Sequence, residues 1–123
     1  MLIKSAKELR AYQMSYQLAM NIFEASKGFP KEERYSLAGQ IRRSSRSVCG
    51  NLAEAFRKRR YPKAFIAKLS DSEGESAETQ TWLDFAKNCK YITAEEHNDL
   101  DETYENIIGK LVNMSLHPES WSW

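Results

Sequence analysis

The feature that most restricts the fold of this chain is a repeated one. Apolar residues return at alternating three- and four-residue steps through four successive stretches, and short breaker segments separate them. That step matches the 3.6-residue turn of an α-helix, and no stretch keeps the two-residue alternation of a half-buried strand. The first stretch carries Leu9, Tyr12, Tyr16, Ala19, Phe23 and Ser26, with Leu18 and Ile22 widening the stripe. Ser5-Ala6-Lys7-Glu8 reads as a capping box ahead of it, and Gly28 stops it. The spacing predicts a helix of about twenty residues, roughly 30 Å long.

The second helix is expected to start near Lys31, where Glu32 and Glu33 suit its N-terminal dipole. Its apolar face is Leu37, Ile41, Ser45, Val48, Leu52, Ala55 and Phe56. On the same wheel Arg59 falls in the apolar sector, so the helix is expected to end or bend near Lys58, and Tyr61-Pro62 marks the break. The third opens at Pro62-Lys63 and presents Phe65, Leu69, Ser72, Ser76, Thr79, Leu83 and Ala86. Its middle is small and polar, and Gly74 weakens it; close helix approach, a buried hydrogen-bond network and a mobile stretch each fit that pattern. The fourth begins at a second capping box, Thr93-Ala94-Glu95-Glu96, and continues through Leu100, Tyr104, Ile107, Ile108, Leu111 and Met114 until Pro118.

Four helices with short connections predict an all-α, antiparallel up-down-up-down four-helix bundle over residues 1–114, followed by an aromatic tail over 115–123. Composition agrees. The 123 residues suffice for one domain, 41% are apolar, and only five Gly and three Pro are present to make turns. Mean hydropathy is −0.65. No uncharged apolar run approaches the roughly 18–20 residues a membrane-spanning helix needs. The N-terminus lacks the apolar stretch of a secretory signal, and two cysteines make no disulfide framework, so the expectation is a cytoplasmic protein without a membrane.

The net charge of +1 conceals a strong asymmetry. Residues 1–41 carry +2, residues 42–70 carry +8 with Glu54 as their one acid, and residues 71–123 carry −9. The basic segment can bind an external polyanion, pair with the acidic half within or between subunits, or stand solvated. On the helix-two wheel Arg43, Arg46, Gly50 and Arg57 lie within about 60° of each other, flanked by Arg42 and Arg60. Arginines one turn apart stand about 5 Å apart along one side, close to the phosphate spacing of a strand. Arg57-Lys58-Arg59-Arg60-Tyr61-Pro62-Lys63 adds consecutive cations beside an aromatic, which suits phosphate contact plus stacking on an unpaired base. The candidate nucleic-acid-binding residues are therefore Arg42, Arg43, Arg46, Arg57, Lys58, Arg59, Arg60 and Lys63.

Other chemistries find less support. Asn51 and Glu54 could form a polar site with Glu75 and Glu78, or a structural network in which Glu78 pairs with an Arg. The Glu-x-x-His pairs of a di-iron bundle are missing, since Ala94 and Met114 stand three residues before His97 and His117. His97 reads as a surface residue, and Cys49 and Cys89 as small buried ones. No Gly-rich phosphate loop occurs, and the carboxylates Asp71 and Glu75 share a helix face as acids in so acidic a segment do by chance. No enzyme, cofactor or metal is expected. The Trp121 and Trp123 tail is expected to pack on its own bundle or a neighbour's groove, with a protein partner as the other reading.

Several short motifs in order resemble a known family. They are Phe29-Pro30-Lys31-Glu32-Glu33-Arg34-Tyr35-Ser36-Leu37, Gln40-Ile41-Arg42-Arg43-Ser44-Ser45, Ser47-Val48 and Asn51-Leu52-Ala53-Glu54-Ala55, then Glu75 to Ala86 and Cys89-Lys90-Tyr91-Ile92. Together, across residues 7–113, they are similar to the proteins encoded in intervening sequences of bacterial 23S ribosomal RNA genes, also labelled S23 ribosomal proteins. The resemblance implies a four-helix bundle in a ring-shaped homopentamer with a basic surface. It also implies kinship with an accessory protein of diversity-generating retroelements, which binds nucleic acid and a reverse transcriptase. The chain departs from the family pattern at Cys49-Gly50 and at Ala55. Gly50 in mid-helix costs roughly 1 kcal/mol against Ala.

The expectation is a non-enzymatic homo-oligomer that binds RNA or DNA through helix two and the helix two–three connection. The rival is a scaffold whose basic stripe meets the acidic helices of neighbouring subunits.

Overall fold

The computed structural model describes residues 3–121. Its main elements are α1 (Arg10–Ser26), α2 (Leu37–Arg57), α3 (Pro62–Asn88) and α4 (Ala94–Leu116), with 3-10 turns at Ala6–Glu8, Lys31–Glu33 and Pro118–Ser120. No strand occurs among the described residues. Each helix packs on the next and α1 also packs on α4, so α1 and α3, like α2 and α4, lie diagonally across the bundle.

Side-chain partners fix the helix directions. Val48 and Ser44 on α2 meet Ser72 and Thr79 on α3, so positions rise on one helix as they fall on the other. Ser15 meets Cys49 and Ser26 meets Arg42 between α1 and α2; Asp84 meets His97 and Gln80 meets Glu105 between α3 and α4. Consecutive helices therefore run in opposite directions.

The seven positions read as the α3 face are all buried. Its polar middle is a hydrogen-bond network at a close helix approach. Ser72 Oγ donates to the Val48 carbonyl at 2.8 Å, Thr79 Oγ1 to Ser44 Oγ at 2.8 Å, and Ser76 Oγ to the Ser72 carbonyl at 3.0 Å. Small hydroxyl side chains let α2 and α3 approach while their donors stay satisfied. Phe56, Phe65, Ile22, Ile41 and Tyr104 fill the rest of the core. Burial raises the Tyr104 phenol far above its usual range.

Helix starts differ from the sequence reading in two places. Ser5 accepts from the Lys7 amide at 3.2 Å, but Glu8 reaches the Lys4 amide rather than that of Ser5, so the pair frames a 3-10 turn and not a box. Extended Leu9 then separates that turn from α1. The second helix begins at Leu37, because Lys31–Glu33 forms its own 3-10 turn and Ser36, at φ −120° and ψ −100°, breaks the path between them. The α4 capping box of Thr93 and Glu96 is present with both bonds. At the other end of α3, Lys90 adopts φ 66° while the Tyr91 amide reaches back to the Ala86 carbonyl at 2.9 Å, a left-handed helix stop.

The α1 stripe is rotated from the expected one. Ala11, Ser15, Leu18, Ala19, Ile22 and Ser26 are buried, whereas Tyr12 and Phe23 are half-buried and Tyr16 is 55% exposed. Ala11 and Ser15 are small enough to sit at the inter-helix contact, which pushes the bulky row to the rim facing α2. His97 is buried rather than at the surface, with Nε2 at 2.6 Å from Asp84 Oδ1, and Cys89 is exposed rather than buried. Trp121 packs against the core; Trp123 lies outside the described residues.

Candidate nucleic-acid interface

The eight candidate cations do not form one stripe. Adjacent positions on α2 point about 100° apart and so face different neighbours, and the cations divide accordingly. Arg43 turns toward α3, where Nη1 lies 3.0 Å from Glu75 Oε2 and Nη2 pairs with Glu78, while Nε donates to Gln40. Glu78 also accepts from Trp82 Nε1 at 3.1 Å. Arg43 is thus neutralised within its own subunit.

Arg42 turns the other way. Its Nε donates to Ser26 Oγ at 2.7 Å and its guanidinium stands 5.0 Å over the Phe23 ring, tying the end of α1 to α2. Arg46 shares that ring at 5.5 Å and stays exposed. Arg59 is a correction to the set: it is only 6% exposed, donates through Nη1 to the Phe56 carbonyl at 2.8 Å, and lies 3.8 Å over the Phe56 ring. Burial, then Arg57 and Arg60, lower its pKa. It closes the end of α2 because that carbonyl has no further helical turn to bond.

The remaining four, Arg57, Lys58, Arg60 and Lys63, are exposed around the α2–α3 turn, with Arg60 5.8 Å over the Tyr61 ring. Arg57, Lys58 and Lys63 have no ion pair among the described residues. The segment's one acid, Glu54, is held by Lys68 Nζ at 2.7 Å, and the same ammonium donates to Asn51 and approaches Asp71 at 3.7 Å. That hydrogen bond lowers the Glu54 pKa and raises that of Lys68. Asn51 and Glu54 therefore belong to a different cluster from Glu75 and Glu78, and both clusters are structural.

Sequence reasoning missed the cations that α1's approach adds. Lys4, Lys7 and Arg57 border one hollow of about 230 Å³ with Tyr12, Ala53 and Phe56. It leads into a second of about 400 Å³ lined by Tyr12, Tyr16, Met20, Arg46, Gly50 and Ala53. The i, i+4 spacing of Tyr12 and Tyr16 was a visible signal; their rings stack at 6.2 Å. Cys49 lies at the base of this groove, where burial raises its pKa and Ser15 Oγ sits 3.2 Å from its sulfur.

Metal-ligating side chains meet at one place among the described residues, where Asp84, His97 and Asp101 bring one ligand atom each within 4.8 Å of the others. His97 is already hydrogen-bonded to Asp84, so the trio joins α3 to α4 and carries no metal assignment. No helix among the described residues is long and apolar enough to cross a membrane.

Comparison with known proteins places this fold. No curated protein matches the chain. A crystal structure at 1.70 Å of a protein with unknown function from the S23 ribosomal protein family of Bacteroides thetaiotaomicron is similar, with a TM-score of 0.77 and 26% identity. The match covers 85% of this chain and 94% of that one. The model of the 23S rRNA-intervening sequence proteins matches residues 7–113, which takes in α1, α2, α3 and most of α4. The chain belongs to the 23S rRNA-intervening sequence protein family.

Proposed function

We propose that this protein is a non-catalytic, homo-oligomeric bundle that binds nucleic acid, with RNA as its proposed natural ligand, by phosphate contact at the α2–α3 turn that does not itself distinguish RNA from DNA. One observation carries the reading: Arg57, Lys58 and Lys63 stand exposed and without an ion pair among the described residues, and Arg57 shares a hollow with Lys4 and Lys7 across the helix seam. The family's description refers to 23S rRNA, which makes RNA the first ligand to test. Contact with phosphates gives affinity with little base discrimination. Repetition of the patch on an oligomer would multiply avidity with no new type of contact, and the family resemblance implies a ring of five.

A salt titration tests it. If five to eight phosphates are neutralised, log affinity falls with log salt at a slope of about −4 to −7. Replacing Arg57, Lys58 and Lys63 together by Glu abolishes binding and leaves helicity intact. The rival, a scaffold held by cation–carboxylate pairs between copies, draws on the Arg43–Glu78 pairing within one subunit and the −9 of residues 71–123. It expects high salt to dissociate the oligomer; the proposed reading expects the oligomer to survive and release nucleic acid. A slope near zero, or unchanged binding in the triple variant, defeats the proposal.

A further inference from the structure

We infer that the α1–α2 groove is a stacking site for unpaired bases of a single nucleic-acid strand. The inference rests on the proposed function and goes beyond it, since phosphate contact alone needs no groove. The floor is small and open: a Cβ placed on Gly50 would meet nothing within 4 Å, and Ala53 continues that floor one turn on. One wall is aromatic, formed by the Tyr12–Tyr16 stack with interplanar angle 27° and by the exposed thioether of Met20. At about 400 Å³ the upper hollow falls in the range of pockets that hold small organic groups.

Charge decides the occupant. Arg46 stands at one end of the groove, and Arg57, Lys4 and Lys7 stand at the other. Arg46 and Arg57 are eleven residues apart on α2, about 16 Å along the axis. No Asp or Glu lines either hollow. An aromatic wall between two sets of cations matches a strand whose phosphates lie at the ends and whose bases face the tyrosines. A duplex keeps its bases stacked on one another and offers nothing to that wall. Stacking and phosphate contact ignore the 2′-hydroxyl, so RNA and DNA strands bind alike.

The experiment uses the full chain and fluorescently labelled 12-residue oligo(rA), oligo(dA) and the duplex of oligo(dA) with oligo(dT), titrated at low salt. Both single strands are expected to bind within about threefold of each other and more tightly than the duplex. Tyr16→Ala and Gly50→Leu each weaken single-strand binding by about tenfold or more with the salt slope unchanged. Tyr16→Phe keeps the parent affinity. Both weakening changes fall at exposed positions, so circular dichroism should show parent helicity.

If both variants bind like the parent while Arg57→Glu with Lys58→Glu does not, the groove inference falls and the phosphate reading stands. If they change the mass of the particle by light scattering and leave affinity alone, the groove seats a second copy, and the inference is likewise overturned. If the parent binds no nucleic acid, both readings fail.

Discussion

Arg43 on α2 and Glu78 on α3 form an ion pair within one subunit, and that pair divides what looks in the sequence like a continuous basic stripe. Residues one and two turns further along α2, Arg46 and Gly50, line the groove against α1 instead. A cation already facing two carboxylates releases few counterions when nucleic acid binds. Arg43→Gln should therefore leave the slope of log affinity against log salt within experimental scatter of the parent value. Arg57→Gln should reduce it by about one. Paired salt titrations of the two variants check this, and equal effects would return Arg43 to the binding surface.

Arg59 is a structural cation. Its guanidinium bonds the Phe56 carbonyl and covers the Phe56 ring at the end of α2. Arg59→Ala should cost about 1–3 kcal/mol of stability, since it strips a buried carbonyl of a charged donor. Lys58→Ala, exposed next to it, should stay within about 0.5 kcal/mol. Urea denaturation of both variants measures the difference.

The α2–α3 contact depends on small hydroxyl residues. Ser72→Ala should cost about 1 kcal/mol by removing the bond to the Val48 carbonyl. Ser72→Leu should cost more, about 1–3 kcal/mol, because its extra carbons must push two closely packed helices apart. A Leu variant as stable as the Ala variant would show the approach to be looser than described.

Tyr91 links the α3–α4 turn to the turn before α2, donating to Glu33 Oε2 at 3.0 Å. That bond first, with burial next, pushes the Tyr91 pKa up to about 12 from 10.0. Bonds from Ser36 and then Tyr91 hold Glu33 below its usual 4.5. A raised phenol pKa means the folded state holds the proton more tightly. Its stabilisation is complete below pH 10 and is lost as pH climbs toward about 12. For Glu33 the sign reverses: stabilisation is present above pH 4.5 and lost as pH falls through the lowered folded value. Tyr91→Phe should flatten both limbs of a plot of denaturation midpoint against pH. Tyr104, whose pKa burial also raises, preserves part of the alkaline limb.

Lys90 holds the left-handed conformation that ends α3, a geometry in which a Cβ is crowded. Lys90→Gly should raise stability by about 0.5–1 kcal/mol in a thermal or urea melt, because glycine takes positive φ without that penalty. Lys90→Ala should show no such gain.

The four helices, their breaks and the buried faces of α2 and α3 were legible from residue order alone. Each depends on a local rule: an apolar residue every three or four positions, a capping hydroxyl, or a proline that cannot continue a helix. Leu37 to Phe56 and Phe65 to Ala86 obey that rule along their whole length, so their faces needed no partner to be read. The wheel already puts Arg59 in the apolar sector, and an Arg partner for Glu78 is one of the two readings of that cluster. The rotation of α1, the burial of His97 and the choice of Arg43 as that partner were not legible. For each of these, the neighbouring helix decides. Tyr12 and Tyr16 fit the helical period as well as Ala11 and Ser15 do, and only the close approach of α1 to α2 selects the smaller pair for the interior. Period specifies which residues share a face of one helix; which face meets solvent, and which cation meets a carboxylate, follows from how four such faces fill one space.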